Sequence, residues 1–387
     1  MLDPQTYRAN ETLAKSLIPH WRISQTHNLD HFERVGFPVR VASVRDLGQI
    51  VDSMQENRFG GYMQELGGLA AEEHALIGEA CRDVVEFLLS YLPHRPPILP
   101  ISTILSAFTL YRKMCGVSPS FGSVLEIGPG CGYLSFFLRH HAALKNYSQI
   151  EACESFYILQ NLVNLHCFGS RFDERALPAE GVEAVDFFVN RDNEMEFAPQ
   201  LRLDRPTPKC VHYPWWRIGE LISRDLRFDI VTSNANLLEF NPKALDDYLS
   251  LLHRVLAPEG AMIVQCAGYP ANGNDETLLA KMYEKGFAPL FYVISSEPAR
   301  FAGSGSKGLL GRLQNGGLEA IDLVVTNALF VKAGHPLFGR YYDRKNYHVR
   351  FVAPEPIVRA TYFDRPPDRR HYTVEQFLEE TERRFRG

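Results

Sequence analysis

Three observations predict an α/β protein with a mostly parallel sheet and a helical N-terminal region. Short strand-like apolar runs alternate with helical patterns from Ser123 to Val331, which is typical of a parallel sheet covered on both faces. Residues 1–92 carry helical periodicity instead. A strand that leads into a glycine-rich turn and then a helix occupies residues 123–144.

The N-terminal region, residues 1–115, is expected to form a helical cap. Its clearest helix spans 74–92, where apolar residues recur at three- and four-residue spacing. A proline-rich run at 93–100 cannot continue that helix. A second helix at 101–114 then leads into the sheet.

From Ser123 onward the predicted elements follow one another in a regular order. They are strand 123–127, helix 133–144, strand 149–153, helix 156–166, strand 209–213, strand 228–232, helix 242–256, strand 261–266, helix 276–285, strand 290–294 and strand 321–331. Residues 168–208 are expected to be a polar insertion, and 296–320 a loop. The extension 334–387 is expected to end in a helix that starts at Thr373, with Gln376 completing a capping box.

The composition excludes several classes of protein. Of the 387 residues, 45% are hydrophobic and 22% charged, as in globular proteins that bury a sizeable core. The seven cysteines form no C-x-x-C pair, which argues against a disulfide framework or a zinc ribbon, and no metal site is predicted. The net charge of −5 argues against a nucleic-acid partner. No secretory signal or 18-residue apolar run is found, so we expect a cytoplasmic protein without a membrane partner.

The most informative motif is E-x-G-x-G-x-G, which comprises Glu126, Gly128, Gly130 and Gly132. Glycines let a backbone approach a ligand closely, and a helix N-terminus offers free N–H groups. Dinucleotide sites use G-x-G-x-x-G, which would need glycine where this chain has Tyr133. Glu126 would repel a pyrophosphate and attract an ammonium group, so the motif favours a ligand that carries one.

A second acid, Glu154, is expected at the end of the next strand, 22 residues after Gly132. An acid at this distance is placed to accept the ribose hydroxyls of a nucleoside. Together, Glu126 for an ammonium and Glu154 for a ribose describe S-adenosylmethionine (SAM). The alternative is that both are solvated acids at strand ends.

At these residues the chain resembles the class I SAM-dependent methyltransferases. The resemblance is carried by the glycine motif, Glu154, the strand 228–232 and the L-x-P-x-G turn at 256–260, and it covers about 116–333. It implies a Rossmann-like sheet of seven mostly parallel strands, with SAM as cofactor and S-adenosylhomocysteine (SAH) as product. The surplus length is then a set of additions, which we expect to cover the acceptor pocket or form a homodimer.

The resemblance also implies that adenine lies near the end of the third strand. Tyr213, Trp215 and Trp216 follow there, and flat aromatic rings suit adenine, a sulfonium or a sugar face. Tyr213 and Trp215, like Tyr133, are expected at the cofactor, and Trp216 at the acceptor. Core packing is the alternative for the tryptophan pair, although adjacent side chains diverge, so at least one is expected to face a cavity.

The loop after the fourth strand supplies further candidates, because parallel sheets bind ligands at the carboxyl ends of their strands. Asn234 is expected to contact the cofactor, and Asn236 and Glu239 the acceptor. The alternatives are turn formation for Asn236 and helix capping for Glu239. For a hydroxyl acceptor a base must remove the proton, and His212 is the first candidate and Glu239 the second.

These features predict a methyltransferase that acts on the hydroxyl of a small molecule. The layout resembles, more narrowly, that of sugar O-methyltransferases, which implies a sugar or nucleotide-sugar acceptor. Two alternatives stay open: a methyltransferase acting on a protein or RNA, and a protein that binds SAM without catalysis.

Overall fold

The computed structural model describes most of the chain in twelve ranges. They are residues 2–17, 36–93, 96–176, 189–191, 194–196, 208–234, 236–237, 240, 242–265, 281–295, 324–335 and 368–386. Among these residues, no helix has the length and apolar character needed to cross a membrane.

In the part of the chain that the structure describes, ten strands form an eight-stranded sheet and a two-stranded antiparallel pair. The strands are β1 Ser123–Ile127, β2 Asn146–Glu151, β3 Phe172–Glu174, β4 Val189–Arg191, β5 Glu194–Glu196, β6 Cys210–Pro214, β7 Phe228–Asn234, β8 Leu256–Gln265, β9 Phe287–Ser295 and β10 Val324–Lys332. The large sheet has the order β3-β6-β2-β1-β7-β8-β10-β9. β10 pairs antiparallel with β8 and β9, and the remaining pairs are parallel, so the predicted mostly parallel α/β sheet is confirmed.

The strand order reverses direction at β1. From β1 the chain moves to β2 and then to the β3 and β6 side, and it returns to β7 on the opposite side of β1. The loops that follow the carboxyl ends of β1 and β7 therefore diverge. Open α/β sheets bind ligands in the crevice at such a switch point.

The described helices precede, cover and follow the sheet. They are α1 Pro4–Leu17, α2 Leu47–Ser53, α3 Phe59–Leu66, α4 Ala71–Tyr91, α5 Ile101–Val117, α6 Leu134–Leu138, α7 Glu154–Phe168, α8 Glu220–Ser223, α9 Pro242–Val255 and α10 Val374–Arg386. The last helix, α10, packs on α4. Thr373 and Gln376 exchange backbone-to-side-chain hydrogen bonds of 3.1 and 3.3 Å, so the predicted capping box is confirmed.

The two faces of the sheet bury different residues of the same strand. In β1, Leu125 and Ile127 join a core with α1, α7 and α9, whereas Val124 joins a core with α5 and α6. A third core joins the N-terminal helices to α6 and α7. The sheet is thus enclosed, and the loops at its carboxyl edge are fixed by packed strands.

Among the differences from the predicted elements, three bear on the site or on the sheet. β2 ends at Glu151 because Cys153 is already the N-cap of α7. β3, inside the predicted insertion 168–208, pairs with β6 as an eighth strand. The L-x-P-x-G segment belongs to β8, where it coincides with an irregularity in the pairing with β7.

Candidate functional site

The glycine turn after β1 lies at the switch point and adopts left-handed backbone conformations. Gly128, Gly130 and Gly132 have φ values of 60°, 58° and 75°, which glycine adopts without strain. A Cβ placed on Gly130 would meet nothing within 4 Å, whereas one on Gly128 would lie 1.8 Å from the Asn236 amide nitrogen. The space beside Gly130 is therefore open, whereas the Asn236 side chain fills the space beside Gly128.

Asn236 holds this turn from the β7 side. Its amide Nδ2 donates to the carbonyls of Ile127 and Gly128 at 2.9 and 3.1 Å. The same nitrogen lies 3.2 Å from the carbonyl of Asn234, the last residue of β7. The described contacts thus give Asn236 a role in fixing the turn, while acceptor binding by Asn236 and cofactor contact by Asn234 stay predictions.

Glu151 is the acid that ends the second strand. Its Oε1 accepts hydrogen bonds from the backbone N–H groups of Ala152 and Cys153 at 2.8 and 2.9 Å. Its Oε2 accepts from Gln160 Nε2 at 2.9 Å. A carboxylate has about four acceptor positions, so one remains for a ligand hydroxyl at the edge where ligands bind.

The expected strand-end acid, Glu154, has a different position. It is the first residue of α7 and is fully buried. Arg8 donates to both of its carboxylate oxygens at 2.8 and 2.6 Å, and Arg40 donates to Oε2 at 2.6 Å. The expectation that Glu154 ends a strand is therefore wrong, and its carboxylate is used to attach α1 to α7.

Glu126 is buried, and its carboxyl group belongs to a polar network with two residues of β2. The Tyr147 hydroxyl donates to it, and Gln149 Nε2 lies 3.5 Å away. Burial raises the pKa of Glu126 to about 7. An ammonium partner for Glu126 stays a prediction, and the structure adds that this carboxyl titrates near neutral pH.

His212 is in the interior of the protein. It lies on β6, its ring stacks on Tyr157 at 3.9 Å between centroids, and its Nδ1 is 2.8 Å from Asn161 Oδ1. Burial lowers the pKa of His212 well below its usual value. A base must reach the proton it removes, so the structure argues against His212 as that base. The other candidate, Glu239, lies outside the described residues.

The aromatic candidates are all buried in the described structure. Trp215 Nε1 donates to Glu11 on α1 at 3.3 Å, and the centroids of the Trp216 and Tyr7 rings are 5.0 Å apart. The tryptophans are 3% and 2% exposed, which favours core packing, and the expected contacts of Trp215 with the cofactor and of Trp216 with the acceptor stay predictions. The chain enters a 3₁₀ turn after Pro214, the two indole rings meet edge to face at 5.4 Å between centroids, and α1 contacts both of them.

Two further candidates, Tyr213 and Tyr133, are buried in different cores. Tyr213 belongs to the core shared with α1, and Tyr133 to the core of the N-terminal helices. Their expected cofactor contacts stay predictions.

Among the residues that the structure describes, no group of three or more His, Cys, Asp or Glu side chains could hold a metal ion.

Sequence reasoning missed Glu151 and Gln160. Ala152 and Cys153 are apolar and extend the apparent strand, which hid Glu151 as its true end. Gln160 is a polar residue within a mostly apolar helix, and that contrast was the available signal.

No protein-family model matches the chain, and no curated protein matches its sequence. Solved structures do resemble it. A TehB-like SAM-dependent methyltransferase from Corynebacterium glutamicum is 11% identical over 58% of this chain and 87% of its own, with a TM-score of 0.33. A magnesium protoporphyrin IX methyltransferase from Synechocystis, with SAH bound, is 8% identical over 62% and 89%, with a TM-score of 0.33. The cyclase SpnF is 17% identical over 56% and 74%, with a TM-score of 0.30.

The sheet itself defines the class of fold. The order of its strands reverses at β1, one antiparallel strand lies between β8 and β9, and a glycine turn follows β1. The chain has a Rossmann-like α/β fold, which is the fold that the resemblance implied.

Proposed function

We propose that this protein is a SAM-dependent methyltransferase. The observation that carries the proposal is the pairing of an open glycine turn with a strand-end carboxylate at one switch point. Gly130 has free space where a side chain would lie, and Glu151 ends the neighbouring strand. Both are joined to the same side chain, Gln160.

The residues present fit SAM in their chemistry. The turn around Gly130 would accommodate the methionine portion, because the backbone there can be approached closely. Glu151 would accept a ribose hydroxyl with its remaining acceptor position. Glu126, whose pKa lies near neutrality, would be stabilised as a carboxylate by an ammonium group.

When bound, SAM supplies an electrophilic methyl group on its sulfonium. The protein's part is to orient the acceptor in line with that methyl and to remove the acceptor's proton. His212 is closed off from this task, so Glu239 is the proposed base.

We further propose that the acceptor is the hydroxyl of a small molecule such as a sugar or nucleotide-sugar. Helix α1 supports a small acceptor, because Tyr7 and Glu11 cover Trp215 and Trp216 beyond the carboxyl end of β6. The negative net charge also supports it, since a polyanionic acceptor would be repelled overall. A cytoplasmic location is proposed with it.

Two measurements test the proposal in sequence. Calorimetry with SAM and SAH should show saturable binding by the wild-type protein, and absence of binding would overturn the cofactor. Incubation with methyl-labelled SAM and a host metabolite extract, followed by mass spectrometry, should yield a labelled small molecule. Label found only in protein or RNA would overturn the proposal of a small-molecule acceptor. SAM binding without any methyl transfer would overturn the proposal that the protein is an enzyme.

A further inference from the structure

We infer that Gln160 is a positioning residue that fixes the glycine turn and the Glu151 carboxylate relative to each other; the inference rests on the proposed function. Gln160 lies on the second turn of α7 and is fully buried. Its Nε2 donates to the Gly130 carbonyl at 2.7 Å and to Glu151 Oε2 at 2.9 Å. A single amide group therefore connects the two halves of the proposed site.

The amide is suited to this task by its two N–H groups. A primary amide donates twice from one nitrogen and carries no charge, so it can serve a carbonyl and a carboxylate at once. Its orientation is also determined, because a flipped amide would place Oε1 against Glu151. The stem of Gln160 supports the turn as well, since a Cβ on Gly132 would lie 3.3 Å from Gln160 Cγ.

The contact with Gly130 determines the direction of the next N–H group. A trans peptide is planar, with its C=O and N–H pointing in opposite directions. Because Gln160 holds the Gly130 carbonyl toward α7, the N–H of Cys131 points away from α7. Backbone N–H groups directed in this way form the ligand-facing part of a glycine turn.

The contact with Glu151 fixes the second oxygen of that carboxylate. Backbone N–H groups already hold Oε1, and Gln160 holds Oε2, so the group cannot rotate freely. A ligand that uses Glu151 then loses no side-chain entropy from that residue.

The remaining oxygen of Gln160 is consistent with a place beside a ligand. Among the described residues, Oε1 is buried and has no hydrogen-bond partner. Buried polar atoms without partners are rare in folded proteins, and they call for an explanation such as water or a ligand group. This atom lies on the side chain that already contacts both halves of the site.

The test compares two neighbouring amides on α7. Gln160→Met removes the donors while keeping the length of the side chain, and Asn161→Leu removes the buried amide next to it, which contacts His212. We expect Gln160→Met to weaken SAM binding about tenfold or more and Asn161→Leu to change it less than about threefold. Both variants should lose stability in urea unfolding, so stability alone cannot produce the difference.

A double-mutant cycle separates positioning from general packing. If Gln160 acts through Glu151, the two substitutions will not multiply. The double variant Gln160→Met/Glu151→Gln should then lose at least about threefold less SAM affinity than the product of the two single-variant losses. For Asn161→Leu combined with Glu151→Gln, the loss of SAM affinity should equal the product of the two single-variant losses. Full multiplication for the Gln160 pair would overturn the positioning role through Glu151.

The remaining outcomes are also decisive. Wild-type protein that binds neither SAM nor SAH would overturn the proposed function together with this inference. Wild-type binding with unchanged affinity in Gln160→Met would overturn the positioning role alone. Should Gln160→Met fail to fold, Gln160→Asn replaces it, because the shorter amide cannot reach both acceptors and the same tenfold loss is expected.

Discussion

The hydroxyl of Tyr147 donates a hydrogen bond to the buried carboxyl of Glu126, across the pairing of β1 with β2. Gln149 lies beside the same two groups, and α7 continues the network through Asn164. Only the protonated form of Glu126 avoids placing a charge in this interior, which is why burial raises its pKa to about 7.

The stability of the wild-type protein should therefore contain a term that falls with rising pH. The folded pKa lies above the unfolded value, so the term is fully favourable below about pH 4.5 and is lost as pH rises to about 7. Glu126→Gln keeps an acceptor for Tyr147 and removes the titration. Relative to wild type, it should gain about 3 kcal/mol of unfolding free energy between pH 4.5 and 8. Urea unfolding across this range measures the difference, and parallel curves would contradict it.

Glu151 and Glu154 should respond differently to the same substitution. Glu151→Gln removes the charge proposed to face a ribose and should weaken SAM binding about tenfold or more. Glu154→Gln breaks ion pairs with Arg8 and Arg40, so it should lower the unfolding free energy by about 2 kcal/mol with little change in affinity. Both arginines are partly exposed, which limits the cost. Calorimetry measures the SAM affinity of both variants, and urea unfolding measures their stability. A loss of affinity in Glu154→Gln but not in Glu151→Gln would identify Glu154 as the acid that binds the ligand.

His212→Gln should affect folding rather than catalysis. The substitution removes the imidazole from the stack on Tyr157 and disturbs the contact with Asn161, so we expect a loss of about 1–3 kcal/mol in stability. Turnover per folded molecule should remain within about threefold, because the ring has no access to an acceptor. A hundredfold loss of turnover with normal SAM affinity would make His212 the base after all.

Helix α1 should protect the tryptophan pair from water. Tyr7→Ala removes a fully buried ring that contacts Trp216 and Tyr157, and it should cost about 3 kcal/mol and shift tryptophan emission to longer wavelength. Leu13→Ala on the exposed side of α1 is the matched control and should leave the emission unchanged. Equal emission in all three proteins would show that α1 does not cover the pair.

Local patterns in the sequence predicted β1 and its turn to the residue, because an apolar strand followed by three spaced glycines has few other structures. The end of β2 was missed because Ala152 and Cys153 are apolar and Cys153 is not a typical N-cap. The role of Glu154 depends on Arg8, 146 residues away, and no local pattern contains such a partner. Burial of both tryptophans likewise depends on α1, at the far end of the chain.

The Asn236 side chain has a consequence for how two ligands would influence each other. It connects the loop after β7, where an acceptor is expected, to the Gly128 carbonyl in the cofactor turn. An acceptor that shifts Asn236 would change the free energy of the turn, and hence the affinity for the cofactor. Thermodynamic linkage then requires the cofactor to change the affinity for the acceptor by the same factor. Cooperativity between the two ligands would therefore arise within one domain, through a single amide.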